Sequence, residues 1–241
     1  MKWRLKVNAF AVLSLVLLVG CSKPHGQSRK NSESIAPNQV LQFDVLYAQN
    51  CAGCHGVEGR GGAAISLANP VYLAIIEEAS MRRVISNGVH GTSMPAFSQN
   101  AGGMLTDPQI DVITHGILSH WGSKGMLNGA TPPPYATRTV GSVAHGEFVY
   151  GKYCVSCHGP GGRGSRKGSA ITDRSFLALV SDQGLRTIVI TGRPELGAPD
   201  WRGNIPGARM SNQEITDVVA WLASYRAQNT EQPYAASNSP R

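Results

Sequence analysis

Apolar residues recur at helical spacing along most of the chain, and stretches rich in glycine, proline or serine interrupt them. Val40, Phe43 and Tyr47 share one helical face and predict a helix from about residue 39. A shorter helix should end near Gly88, and a long amphipathic helix should run to about Trp121. These elements predict a helical first half.

The same pattern returns 103 to 105 residues later, so the second half is an internal repeat of the first. Tyr47 and Tyr150 each stand four residues before a cysteine, and Gly88 matches Gly192. A second long helix should run to about Arg226. The repeat therefore predicts two copies of one fold.

Each half contains a capping box before its last helix, a sequence that marks a helix start. The matched side chains are Thr106 with Ser211 and Gln109 with Glu214. Leu105 and Met210 stand just before these boxes, where a hydrophobic residue staples the first helical turn. Met210 is therefore expected to be a core residue.

Composition and the repeat together divide the chain into six predicted segments. The middle segment contains three consecutive prolines, which stiffen a linker. The segments are a signal peptide at 1–20, a flexible tether at 21–38, a first domain at 39–121, a Pro/Gly-rich linker at 122–142, a second domain at 143–227 and a disordered tail at 228–241.

Each half also carries one Cys-x-x-Cys-His sequence, the signature of c-type haem attachment. Two thiols three residues apart face the same way on a helical turn, so each can add to one vinyl group of a single porphyrin. The adjacent histidine can then bind the iron. The motifs predict two covalently bound haem c groups, held by Cys51, Cys54 and His55 in the first half and by Cys154, Cys157 and His158 in the second.

Two other interpretations of these cysteine pairs fit the sequence less well. Zinc ribbons bring their pairs within roughly 15 to 20 residues of each other, whereas Cys51 and Cys154 are 103 residues apart. A thioredoxin-like redox pair does not require a histidine after the second cysteine in both copies. The spacing therefore favours haem.

Both halves resemble class I bacterial cytochrome c domains, on the evidence of the haem motif, the glycine-rich loop that follows it and the capped last helix. The resemblance implies an all-α fold of two tandem haem domains. It also implies the function of a dihaem membrane-associated cytochrome that carries electrons in a bacterial respiratory chain.

The resemblance identifies a candidate sixth ligand in the first domain. Met94 is followed by Pro95, lies about 40 residues after the haem motif and matches the family's axial-methionine loop. A thioether ligand raises the haem potential. The alternatives are that Met94 fills the core or that His90 is the ligand.

The second domain departs from this pattern, because Ala198 aligns with Met94. Three possibilities stay open for the second iron: it is five-coordinate, Met210 binds it, or a group from the first domain or a partner does. We expect a high-spin second haem that binds small ligands such as CO.

A second departure concerns the group that orients each haem histidine. Many relatives place Gly-Pro before the leucine that follows the haem loop, and a carbonyl there accepts the second imidazole N–H. Here Ser66 and Ala170 precede the matched Leu67 and Ile171. Metal-bound histidines nearly always donate that N–H, but the sequence does not identify the acceptor.

The N-terminus resembles a bacterial lipoprotein signal, with Lys2, Arg4 and Lys6 before an apolar run that ends at Gly20-Cys21. The alternative is an ordinary signal peptide with an incidental cysteine. Lipidation of Cys21 would anchor the protein to the bilayer on the periplasmic side of a bacterial membrane. The predicted mature chain has 19 Lys and Arg against 15 acids, and no basic aromatic patch indicates nucleic acid.

These features favour a non-enzymatic electron carrier. The expected partners are membrane redox complexes: a quinol-oxidising complex, an oxidase or a dehydrogenase. The competing hypothesis is an enzyme whose second haem reduces peroxide or a small nitrogen oxide, and a third is a fixed subunit of a respiratory complex.

Overall fold

The computed structural model describes residues 35–122, 127, 129–203 and 205–226. Within these ranges the chain is helical, with two isolated β-bridges and no strand, so the all-α prediction is confirmed. The predicted signal peptide, Cys21 and the predicted tail lie outside the described residues. Among the helices described, none is long and apolar enough to cross a membrane.

Each half contributes five α-helices to the described part of the chain. The first half contains α1 (Phe43–Asn50), α2 (Ala52–His55), α3 (Pro70–Ile75), α4 (Glu78–Asn87) and α5 (Asp107–Trp121). The second half contains α6 (Val143–Tyr153), α7 (Val155–His158), α8 (Arg174–Ala178), α9 (Asp182–Thr191) and α10 (Asn212–Ser224). The helical order of the first half is therefore repeated.

Most predicted helix ends agree with the structure, and the first helix start does not. Helix α4 ends just before Gly88, and both capping boxes are present. Helix α1 begins at Phe43, because the preceding segment forms a short 3₁₀ turn. The Gln109 amide holds that segment by donating to Pro37 O at 2.8 Å and to Val40 O at 3.1 Å.

The first and last helices of each half cross at a glycine, and the glycine is on opposite helices in the two halves. In the first half, a Cβ on Gly116 of α5 would lie 2.1 Å from the Phe43 ring. In the second half, a Cβ on Gly146 of α6 would lie 2.1 Å from Asp217 O and 2.7 Å from Trp221 Cβ. In the repeat alignment Phe43 matches Gly146 and Gly116 matches Trp221. The large and small residues have exchanged helices.

Two hydrophobic cores form, one in each half, and they are connected within a compact unit that begins at Pro37. Val71 of α3 belongs to the first half but is buried in the second core, with Ile75 beside it. The predicted linker also joins both halves. Tyr135 packs on the first core, and its carbonyl accepts hydrogen bonds from Gln183 and Arg186 of α9.

Candidate haem sites

The haem motif has the same backbone in both halves. The first cysteine lies between two helices, and the amide of the histidine donates to its carbonyl, His55 N to Cys51 O at 3.0 Å and His158 N to Cys154 O at 2.9 Å. The two cysteines of each motif therefore lie on one helical turn, three residues apart. Their thiols are unpaired in the described structure, as attachment to a porphyrin requires.

A backbone carbonyl orients each histidine. The Nδ1 atom of His55 lies 2.8 Å from Ile65 O, and that of His158 lies 2.8 Å from Ser169 O. Because a carbonyl only accepts, Nδ1 must carry the proton, and Nε2 is left with the lone pair that iron needs. The residues of both halves thus fit a covalent haem.

These two carbonyls are the acceptors that sequence reasoning could not identify. Each lies two residues before the matched position at Leu67 or Ile171. The internal repeat is the sequence signal that indicates this segment, because Ile65 and Ser169 occupy matched positions in it. Neither acceptor needs a Gly-Pro sequence, because the loop places the carbonyl of Ile65 or Ser169 within hydrogen-bond distance of the histidine.

Burial affects the ionisable groups of both motifs. Burial lowers the pKa of His55, although its hydrogen bond to Ile65 O opposes the shift, and the imidazole is neutral as a ligand must be. Desolvation, followed by the neighbouring cysteine, raises the pKa of Cys51 to about 12 and that of Cys154 to about 11. Both are thiols at neutral pH before haem is attached.

A tyrosine fixes the turn after each histidine. The Tyr47 hydroxyl donates to Gly56 O at 2.8 Å, and the Tyr150 hydroxyl donates to Gly159 O. Gly56 has φ +84°, and a Cβ there would lie 1.8 Å from Arg60 O. Only glycine fits this turn, so the repeated tyrosine and glycine belong to the architecture of the site.

The two loops that could carry a sixth ligand share one backbone hydrogen bond and the close approach of a glycine. Val89 N donates to Met94 O at 3.0 Å, and Arg193 N donates to Ala198 O at 3.0 Å. A Cβ on Gly88 would lie 2.7 Å from Met94 O, and a Cβ on Gly192 would lie 2.7 Å from Ala198 O. Ala198 therefore occupies the place of Met94 in the fold, where it offers no ligand atom.

Met210 lies in the second core at the place that Leu105 has in the first. Leu105 N donates to Phe97 O at 2.7 Å, and Met210 N donates to Trp201 O at 2.9 Å. The two side chains are 5% and 7% exposed. This placement matches the staple role, and ligation of the second iron by Met210 stays a prediction.

Two arginines near Ala198 are engaged by other groups. Arg202 forms a two-pronged salt bridge with Asp200, with N–O distances of 2.6 to 3.0 Å, and lies over the Trp201 ring. Arg193 pairs with Glu195. Neither is a free acid or base for peroxide chemistry. The described residues also contain no cluster of three or more His, Cys, Asp or Glu that could hold a metal ion.

Three features together define a c-type cytochrome: the repeated helices, the two free thiols on one helical turn of each half, and the adjacent histidine held by a backbone carbonyl. The chain matches the family described as "Cytochrome C oxidase, cbb3-type, subunit III" over residues 38–116 and 141–222. These two segments cover well over half of the chain and contain both haem motifs. The chain belongs to this family.

Individual relatives agree with this assignment. The chain is 33% identical over 130 residues to the cbb3-type cytochrome c oxidase subunit CcoP of Azospirillum sp., covering 49% of this chain and 39% of that protein. It is 29% identical over 184 residues to the subunit FixP of Sinorhizobium medicae, covering 70% and 58%. It is also 29% identical over 128 residues to a thiosulfate dehydrogenase of Stutzerimonas stutzeri, covering 49% and 40%.

These alignments include 39% to 58% of the relatives' own lengths. The chain therefore spans only part of the length of each of these relatives.

Proposed function

We propose that this protein is a membrane-anchored dihaem cytochrome c that carries single electrons in a bacterial respiratory or related redox chain. One observation carries the proposal: each half presents two thiols on one helical turn next to a histidine whose Nδ1 is tied to a backbone carbonyl at 2.8 Å. A zinc or dithiol site has no need of this arrangement. A c-type haem needs all of it.

Each residue then has a defined role. Cys51 and Cys54 would hold the first haem, and Cys154 and Cys157 would hold the second. His55 and His158 would each bind an iron as the proximal ligand. Met94 would be the sixth ligand of the first iron. Haem supplies one-electron chemistry at a potential that its axial ligands tune. The protein contributes ligation, burial and a fixed spacing, and it needs no catalytic residue.

The proposed location is the periplasmic side of a bacterial membrane, with acylated Cys21 as the anchor. The lipobox-like sequence before Cys21 supports this anchor, and two of the relatives described above are named as subunits of an oxidase. The proposed partners are a quinol-oxidising complex, an oxidase or a dehydrogenase. An anchored carrier exchanges electrons along the membrane surface.

The haem assignment is tested by counting haems in the protein matured with a c-type haem assembly system. We expect two haems per chain and two one-electron steps in a spectroscopic redox titration. Replacing Cys51 and Cys54 by serine should leave one haem, and replacing Cys154 and Cys157 should leave the other. Retention of two haems in either variant would contradict the assignment.

The anchor is tested separately with Cys21→Ser. We expect the variant protein to be released from the membrane fraction, while the haem content per chain stays at two. Incorporation of labelled fatty acid into the unchanged protein, and its loss in the variant, is the matching readout. A membrane-bound variant would contradict the lipid anchor without affecting the haem assignment.

A second candidate function is a ligand-binding or catalytic second haem that receives electrons from the first. Ala198 at the place of Met94 favours it, and one relative is named as a thiosulfate dehydrogenase. The reduced protein should then change its spectrum on addition of CO, and a peroxidase assay should show turnover. A fully low-spin spectrum that CO leaves unchanged would exclude this function.

A further inference from the structure

Two hydrogen bonds connect the haem-binding loop of the first half with the region around Ala198 in the second half. Arg193 Nη2 donates to Gly62 O at 3.0 Å, and Asn69 Nδ2 donates to Thr191 O at 3.1 Å. Asn69 is 4% exposed and Thr191 is 5% exposed. The hydrogen bond between Asn69 and Thr191 is therefore buried, and the other hydrogen bond is donated by a cationic side chain.

At the first half, the contact reaches the haem attachment point through the backbone. A Cβ on Gly62 would lie 2.1 Å from Cys54 O, so the Gly62 backbone packs directly on the haem cysteine. Ala64 N also donates to Cys54 O at 3.0 Å. The Gly62 carbonyl therefore belongs to the loop segment that packs on Cys54.

At the second half, the contact reaches the position where the sixth ligand is missing. Arg193 and Ala198 exchange two backbone hydrogen bonds of 3.0 Å. The Arg193 side chain is 18% exposed and pairs with Glu195. Partial burial acts to raise the pKa of Glu195, but the hydrogen bond and charge of Arg193, a backbone hydrogen bond and the charge of Arg60 together outweigh it, and the pKa is lowered. A carboxylate therefore holds the guanidinium in place.

The fold of one domain does not require this arginine. In the repeat alignment Arg193 matches Val89, which makes the same backbone hydrogen bond in the first half without a charged side chain. The side chain of Arg193 therefore serves the contact between the halves and not the loop alone.

We propose that Arg193 is a positioning residue that couples the two haem sites. It ties the loop that carries Ala198 to the haem loop of the first half, so that ligand binding at the second iron changes the reduction potential of the first. The proposal rests on the second candidate function above, in which the second iron is open to ligands. Coupling between sites is reciprocal, so reduction of the first haem must change ligand affinity at the second by the same factor.

The test is a redox titration of the first haem in the full-length dihaem protein, with and without CO. We expect a shift equivalent to at least about fivefold in CO affinity, the lower end of typical coupling, which is about 40 mV for a one-electron couple. Arg193→Ala should remove most of this shift while CO still binds. Absorption spectra and haem content establish that the variant is folded.

Arg202→Ala is the matched control. It removes the same charge from the same loop, but the partner of Arg202 is Asp200 within that loop. The control should keep the shift. Three results would overturn the coupling. They are a full potential shift in Arg193→Ala, an equal loss of the shift in Arg202→Ala, and CO binding by the unchanged protein without any shift. An unchanged protein that does not bind CO would overturn the open iron itself, and the coupling with it.

Discussion

The loop around Met94 and the loop around Ala198 share one backbone hydrogen bond, to the carbonyl of Met94 or Ala198, and the close approach of a glycine. They differ at the proposed iron ligand, because the second loop has Ala198 where the first has Met94. The fold of the loop therefore does not depend on a methionine at this position, because glycine packing and a backbone hydrogen bond hold both loops. Fold similarity alone does not establish that a haem is fully ligated.

The largest effect is expected from Met94→Ala, which gives the first loop the side chain of the second. The first haem should become high-spin when reduced and should bind CO. Its reduction potential should fall by about 100 mV or more, a part of the roughly 0.8 V range that axial ligands span. Spectra and a redox titration measure both effects. An unchanged potential would show that Met94 is not the ligand.

The reverse substitution, Ala198→Met, sharpens the comparison. If the loops are equivalent, the new thioether should bind the second iron, abolish the CO response and raise the potential of that haem. The first haem should keep its spectrum and so serves as an internal control. A second haem that still binds CO in full would show that the loops differ in more than one side chain.

Substitutions of Met210 separate its two possible roles. As a staple residue, Met210→Leu should cost less than about 1.5 kcal/mol of unfolding free energy, because leucine fills the matching place at Leu105. Met210→Ala should cost about 2 to 5 kcal/mol. Both variants should keep the unchanged haem spectrum. Loss of a low-spin signal in Met210→Leu would instead identify Met210 as the sixth ligand.

The helix crossings predict a smaller difference between two alanine substitutions. In Gly146→Ala the new Cβ meets the backbone carbonyl of Asp217, whereas in Gly116→Ala it meets the Phe43 ring, which can rotate. Gly146→Ala should cost about 1 to 3 kcal/mol, and Gly116→Ala should cost less. Denaturant unfolding of the two variants gives the comparison. The reverse order would contradict the packing described for the two crossings.

The smallest expected effect is a pH dependence in the second half. Burial acts to raise the pKa of Asp217, but hydrogen bonds from Ser142 N, His145 and Gln213 outweigh it, so the pKa is lowered. This stabilisation is present above the unfolded carboxyl pKa near 4 and is lost as pH falls through the folded value. The first half has Val112 at the matching place.

Urea unfolding at a series of pH values checks this prediction. Asp217→Asn should reduce the loss of stability below about pH 4, relative to the unchanged protein. An identical acid response in the variant would show that other carboxylates control it.

Local sequence patterns predicted much of the fold and of the haem sites. The haem motifs, the capping boxes and the end of α4 at Gly88 follow from residues close together in the chain. The start of α1 was predicted too early, because Gln109, about 70 residues away, holds the preceding segment out of the helix. Hydrophobic spacing alone carries no information about such a contact.

The sequence alone determined the cofactor chemistry and the repeat, since each depends on residues at fixed short spacing. Only the tertiary structure decided which carbonyls orient His55 and His158, and which helix carries the small residue at each crossing. It also decided that Arg193 meets Gly62, 131 residues earlier in the chain. The first two features depend on how each half packs internally, and the third depends on how the two halves pack together.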